Sequence, residues 1–153
     1  MTTSDASLAP GDEIELDVTN IAHGGVSVAR HEGRVVFVAD AIPGDRVVAR
    51  VTEARKKSFA RASVTRVLEA SPHRQPNVWP EASLERDPDD RVGGADFGHI
   101  ALAHQRALKA FVLSDSLKRM AGIDVPVTVQ AAPGDDARNG LGWRTRARLH
   151  VDA

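Results

Sequence analysis

Apolar and polar residues alternate strictly near the start of this chain, where Ile14, Leu16 and Val18 interleave with Glu13, Glu15 and Asp17. A period of two buries one face of a strand and wets the other. Gly24-Gly25 interrupts the pattern. Shorter runs follow at 26–30, 34–39, 46–53 and 59–68, parted by turn residues at Glu32-Gly33 and Pro43-Gly44-Asp45. Five short strands with tight turns predict a small closed barrel, since closure removes edges that a flat sheet of this size would expose. In the fifth run Ala60, Ala62 and Val64 alternate well, but Arg66 then falls on their face, so a bulge is expected there.

The strand pattern ends after Pro72 and Pro76. Residues 77–96 form an acidic, Pro-containing connector, the natural place for a domain boundary. The spacing then predicts one long helix over about 98–121. Leu102, Ala103, Ala107, Ala110, Phe111, Leu113, Leu117 and Met120 make a broad apolar face, Leu108 and Val112 lie opposite, and Gly122 supplies the stop. Asp96 is a candidate cap for this helix and His99 a candidate for a hydrogen bond at its start. Two further strands are expected at 125–130 and 143–151, joined by a Gly-rich loop holding Asn139-Gly140. The expected organisation is a disordered tail (1–10), an OB-like barrel (11–74), an acidic linker (75–97), and a helix with a partial β-hairpin (98–153), the start of a second domain. The fold class is mainly β with one long helix.

Composition narrows the chemistry. Of 153 residues 42% are hydrophobic but only 4% aromatic, so the core is aliphatic and modest. There is no cysteine, which excludes disulfides, thiolate metal sites and a cysteine nucleophile within these residues. No run approaches the length of a spanning helix and the first ten residues lack a basic start, so a cytoplasmic protein without a membrane partner is expected. The net charge of −1 hides a strong asymmetry: residues 1–45 carry −6, 46–74 carry +6, 75–100 carry −4 and the remainder +3. One basic block between acidic flanks is the electrostatic signature of a nucleic-acid contact.

That block holds Arg50, Arg55, Lys56, Lys57 and Arg61, with Arg55-Lys56-Lys57 at a strand-to-strand turn. Clustered cations on a barrel rim neutralise phosphates and release counterions; an ordinary solvated hairpin tip has the same composition. Phe37 and Phe59 are the aromatics that could stack a base, or could sit in the core. The glycines of His23-Gly24-Gly25 suit either a tight turn or the close approach of an RNA backbone. Arg144, Arg146 and Arg148 alternate on the last predicted strand, as an RNA-facing strip or as a solvated face.

Val92-Gly93-Gly94-Ala95-Asp96-Phe97-Gly98-His99-Ile100, followed by Gln105 and Lys109 and then by Trp143-Arg144-Thr145-Arg146-Ala147-Arg148-Leu149, resembles the RNA uracil-5-methyltransferase family. There a TRAM-type barrel precedes a Cys-Gly-Gly-Cys turn, a His-Ile, Gln and Lys helix, and a Tyr-Arg-x-x-Ala-Arg strand. The resemblance implies RNA binding, to ribosomal or transfer RNA, by the N-terminal region of a methyltransferase. In the intact protein S-adenosylmethionine would be the donor and the catalytic domain would lie in cis, C-terminal to this chain. It also implies chemistry elsewhere: the family's cysteine that adds to uracil C6 and its glutamate-type base map onto no residue here, so no catalytic or donor-binding residue is assigned. Val92 and Ala95 stand where cluster-binding members carry cysteines, so no iron–sulfur cluster is expected, nor any other metal site. A free-standing RNA-binding barrel without catalytic activity is the alternative, and a protein adaptor using Leu108 and Val112 a third reading.

Overall fold

The computed structural model describes residues 7–55 and 57–151; the expected tail falls largely outside them, as does Lys56. Five strands form where the alternation places them: β1 (Glu13–Ile21), β2 (Ser27–His31), β3 (Arg34–Ala39), β4 (Arg46–Glu53) and β5 (Phe59–Glu69). They close into a barrel in the order β1-β2-β3-β5-β4, with β3 and β5 parallel and the other pairs antiparallel. Closure depends on β1 serving two neighbours. Its first half pairs with β4 through residues 13–17 and its second with β2, with a bulge at Thr19 between Val18 and Asn20 that lets the strand bend.

The interior is aliphatic and tightly filled: Leu16, Val36, Val38, Val47, Val51 and Val64 are all 2% exposed or less, with alanines at 29, 49 and 60 where strands approach closely. β5 carries the expected bulge. Val64 faces Ala49 while Arg66 faces Val48, so two residues of β5 advance against one of β4. Arg66 thereby turns to solvent and Val67 turns back against the core.

After β5 the chain folds over the barrel rather than away from it. Asp45 is the anchor. Its buried carboxylate accepts from the backbone of Ile42 and Ser71 and from Arg74 at 2.6 Å, so every strong acceptor site is used. Short 3-10 turns at Pro80–Ala82 and Pro88–Asp90 follow, and Arg91 reaches back to Asp40 and to the carbonyl of Val64. Helix α1 (Leu102–Ala121) then closes one end of the barrel through a second cluster of Ile21, Ile42, Ile100 and Leu108.

Three expectations are corrected here. The helix begins at Leu102, its N-cap is Ala101, and Asp96 does not cap it; instead Gln105 Nε2 donates back to the carbonyls of Phe97 and Ile100. The buried face of α1 is the narrow one. Leu108 is 7% exposed and Val112 packs beside it, whereas Phe111, Leu113 and Met120 are 47%, 49% and 83% exposed. The anchoring of residues 97–101 on the barrel fixes the rotation of the helix, overriding the wider apolar arc. Finally, the partial β-hairpin is absent among the described residues: 125–130 and 143–151 are irregular and largely exposed. A closed barrel offers no free edge to extend, and a lone hairpin is marginal in water. Among the described residues no helix is long and apolar enough to cross a membrane.

Candidate nucleic-acid interface

The outer surface of β2, β3 and β5 presents two registered rows. Val28 of β2 faces Phe37 of β3, which faces Arg61 of β5; one pleat away Arg30 faces Val35, which faces Phe59. Because outward side chains on adjacent strands sit within contact range, the rows merge into one patch. Phe37 and Phe59 meet edge to face, with ring centroids 5.6 Å apart. The Arg61 guanidinium lies over both rings, 5.6 Å from Phe37 and 5.9 Å from Phe59. Both phenylalanines therefore sit outside the barrel, partly exposed, which resolves the choice between core and surface that the alternation left open.

The turn between β4 and β5 leads into Phe59 at the edge of this patch. Arg55 and Lys57 are exposed on it, and Lys56 lies outside the described residues. Arg34 holds the base of the turn by donating to the carbonyls of Ala54 and Phe59, both at 3.0 Å. Arg61 also faces Glu53 at 3.6 Å, a half-exposed pair that water and salt screen readily. Aromatic rings framed by fixed cations can stack unpaired bases and neutralise the phosphates between them. The β2–β3 face with its flanking loops is also where OB-type barrels take oligonucleotides.

The remaining candidates are placed differently. Arg50 is engaged within the chain, donating to both carboxylate oxygens of Asp87 at 3.2 and 3.0 Å, which raises its pKa. Gly24 and Gly25 both hold positive φ, and a Cβ on Gly25 would come within 3.1 Å of the Phe97 ring, so this turn serves packing against the segment before α1. Arg144, Arg146 and Arg148 stand exposed on an irregular segment and share no strand face; Arg144 rests over Trp143 at 4.8 Å. His99 does not serve the helix start. It is buried, and its Nε2 donates to the carbonyl of Ala41 at 3.1 Å, tying the segment before α1 to the β3–β4 turn. Burial pushes its pKa below the ordinary value and Arg74 adds to this, while the Ala41 carbonyl partly opposes them. Among the described residues no group of three or more His, Asp or Glu side chains is placed to hold a metal ion.

Sequence reasoning missed Arg30 and Arg34. Arg30 lies on the outward face of β2, and an outward position at period two was its available signal. Arg34 had none, because its partners are carbonyls 20 and 25 residues away.

Residues 8–65 match the TRAM domain. Along nearly its whole length the chain is similar to proteins named RNA methyltransferases. It is 38% identical over 149 residues to an uncharacterised RNA methyltransferase of Corynebacterium efficiens, covering 95% of this chain and 32% of that protein. A second, from Streptomyces avermitilis, is 39% identical over 152 residues, covering 94% and 34%. The 23S rRNA (uracil(1939)-C(5))-methyltransferase RlmD of Shewanella amazonensis is 37% identical over 137 residues, covering 90% and 28%. The chain thus spans about a third of the length of the curated relatives it matches.

Proposed function

We propose that this chain, a TRAM domain with the adjoining N-terminal region of the RNA methyltransferase family, is the part that grips RNA for methylation of a uridine at C5. The observation that carries the reading is the β2–β3–β5 patch: two aromatic rings with a guanidinium over both on one barrel face, next in the chain to a basic turn. A surface of this kind favours unpaired nucleotides, because stacking needs a free base face. Arg55, Lys56, Lys57 and Arg61 supply phosphate contacts, with Arg30 beside them. Arg50, its charge offset by Asp87, would reach a phosphate only by giving up that pair, and Arg144, Arg146 and Arg148 offer a secondary contact without fixed geometry.

By the similarity to RlmD of Shewanella amazonensis, the intact protein would act on ribosomal RNA; S-adenosylmethionine as donor is what the family resemblance of the sequence implies, and a cytoplasmic setting is part of the same proposal. Transfer RNA is the other substrate class the family resemblance allows. Donor binding and methyl transfer belong to polypeptide outside these residues, and a thiolate-held cluster does not fit a chain without cysteine. An RNA-binding protein with no catalytic partner in cis would use the same face. The test is direct binding of the chain to a short labelled single-stranded RNA. Phe37→Ala or Phe59→Ala should each weaken binding by about 1–3 kcal/mol, the worth of one stacked base. Unchanged affinity in the double variant would remove the patch from the RNA interface.

A further inference from the structure

One acid interrupts the basic stretch of the barrel. From Arg46 to Arg66 the sequence holds seven arginines and lysines and a single carboxylate, Glu53. Its position is set by a bulge. Val51 faces Ala62, so regular antiparallel pairing would bring Thr52 opposite Arg61; the register shifts by one residue instead, and Glu53 takes that place. Arg61 in turn faces Phe37 on β3. One row therefore runs Val28, Phe37, Arg61, Glu53 across β2, β3, β5 and β4, with each side chain in contact range of the next.

The ion pair that ends this row is loose. Arg61 Nε stands 3.6 Å from Glu53 Oε2, beyond good hydrogen-bond length, and the two side chains are 54% and 45% exposed. Such a pair is readily exchanged for a better acceptor. The same guanidinium lies over Phe37 and Phe59, so the rings and Glu53 together hold it on the barrel face. Glu53 also borders, with Pro10, Thr52 and Arg55, an open depression of about 300 Å³ where β4 enters the basic turn. It thus stands beside two of the cations that the RNA reading assigns to phosphates.

We infer that Glu53 is an internal competitor of RNA at this face, a positioning residue that holds Arg61 over the rings in the free chain and yields it to a phosphate of the bound strand. This role rests on the RNA-binding reading above and adds to it the place of one phosphate, beside Arg61 and Arg55 at the depression. A carboxylate and a phosphate diester offer anionic oxygens to the same guanidinium, and both cannot stand against it without repelling each other. Binding therefore proceeds by exchange: the Arg61–Glu53 contact is lost as the Arg61–phosphate contact forms. The consequence is restraint. Loss of the ion pair is subtracted from the RNA contact, so the strand is held less tightly and released faster than the cations alone would allow.

The test is binding of a short labelled oligouridine to the whole chain at about 0.15 M salt, where charges more than ~8 Å apart are largely screened. The unsubstituted chain is compared with Glu53→Gln, with Arg61→Gln and with the two changes together. Glu53→Gln keeps the side-chain length and removes the charge. It should tighten binding by about 1.5- to 5-fold, the range of an exposed ion pair, mainly through slower dissociation. Arg61→Gln alone should weaken binding, and in its background Glu53→Gln should lose most of its gain. Equal or weaker binding by Glu53→Gln would overturn this role. So would an equal gain in the Arg61→Gln background, which would make Glu53 a general repulsive charge that does not act through Arg61. An unsubstituted chain that binds no RNA would remove the RNA reading and this role with it, whereas one that binds but is indifferent to Glu53→Gln would remove this role alone.

Discussion

In β4 the run Arg46–Glu53 pairs on both sides, with β1 and β5, and Val47, Ala49 and Val51 are 1% exposed or less. In the segment after α1 the equally alternating stretches leave Val125, Leu149 and Val151 exposed by 42%, 69% and 90%. The difference is partners. A strand needs neighbours for its backbone groups and a facing layer for its apolar side; the barrel supplies both to itself, and its closure denies both to anything outside. The same contrast separates the arginines. Arg61 is held over two rings on a fixed lattice, whereas Arg144, Arg146 and Arg148 would have to be ordered at the moment of binding, with the entropy cost that entails.

The contrast can be broken most sharply at Asp45. Removing its carboxylate in Asp45→Ala strands Arg74 and two backbone donors, and should cost about 3–5 kcal/mol in urea denaturation. Next comes α1, where the structure divides two faces of one helix. Leu108→Ala should cost about 2–5 kcal/mol, while Phe111→Ala should stay within about 0.5 kcal/mol. Equal costs would mean that the wide face is the packed one.

Acidification comes third. His99 and His104 both titrate below their ordinary value in the folded chain, the latter through burial and its stacked neighbour His73, with ring centroids 3.7 Å apart. The unfolded chain then binds more protons in this range. Stability is fully present above the ordinary value of 6.5 and should fall as pH drops below it toward the depressed folded values. His99→Gln should flatten the slope below the ordinary value of 6.5, and an unchanged slope would place the titration elsewhere. The smallest effect belongs to the last segment: Leu149→Ala should move stability by less than about 0.5 kcal/mol.

The barrel was legible because alternation and turn glycines are local signals, and even the bulge at β5 announced itself through Arg66 landing on a buried face. Helix α1 was legible in its existence and its stop at Gly122, but not in its first turn or its rotation. Its setting comes from Gln105 reaching back to two carbonyls and from Ile100 and Leu108 joining Ile21 and Ile42, contacts between residues far apart in sequence. Asp45 read as an ordinary turn residue, since the Ser71 and Arg74 donors that bury it lie 26 and 29 residues on. At the interface the cations were visible as charge. That Phe37, Phe59 and Arg61 meet on one face depends on the parallel β3–β5 pairing, which single-strand periodicity does not encode.

The central claim is that the barrel face, rather than the arginines of the last segment, carries the RNA contact. It is tested by the salt dependence of binding to a single-stranded RNA in two charge variants. Converting Arg55, Lys56, Lys57 and Arg61 to glutamate should abolish most binding at low salt and lower the slope of log affinity against log salt by about 3, at roughly 0.7 per phosphate contact. Converting Arg144, Arg146 and Arg148 to glutamine should change that slope by about 1 or less. A barrel variant that keeps its full slope, beside a last-segment variant that loses it, would contradict the account.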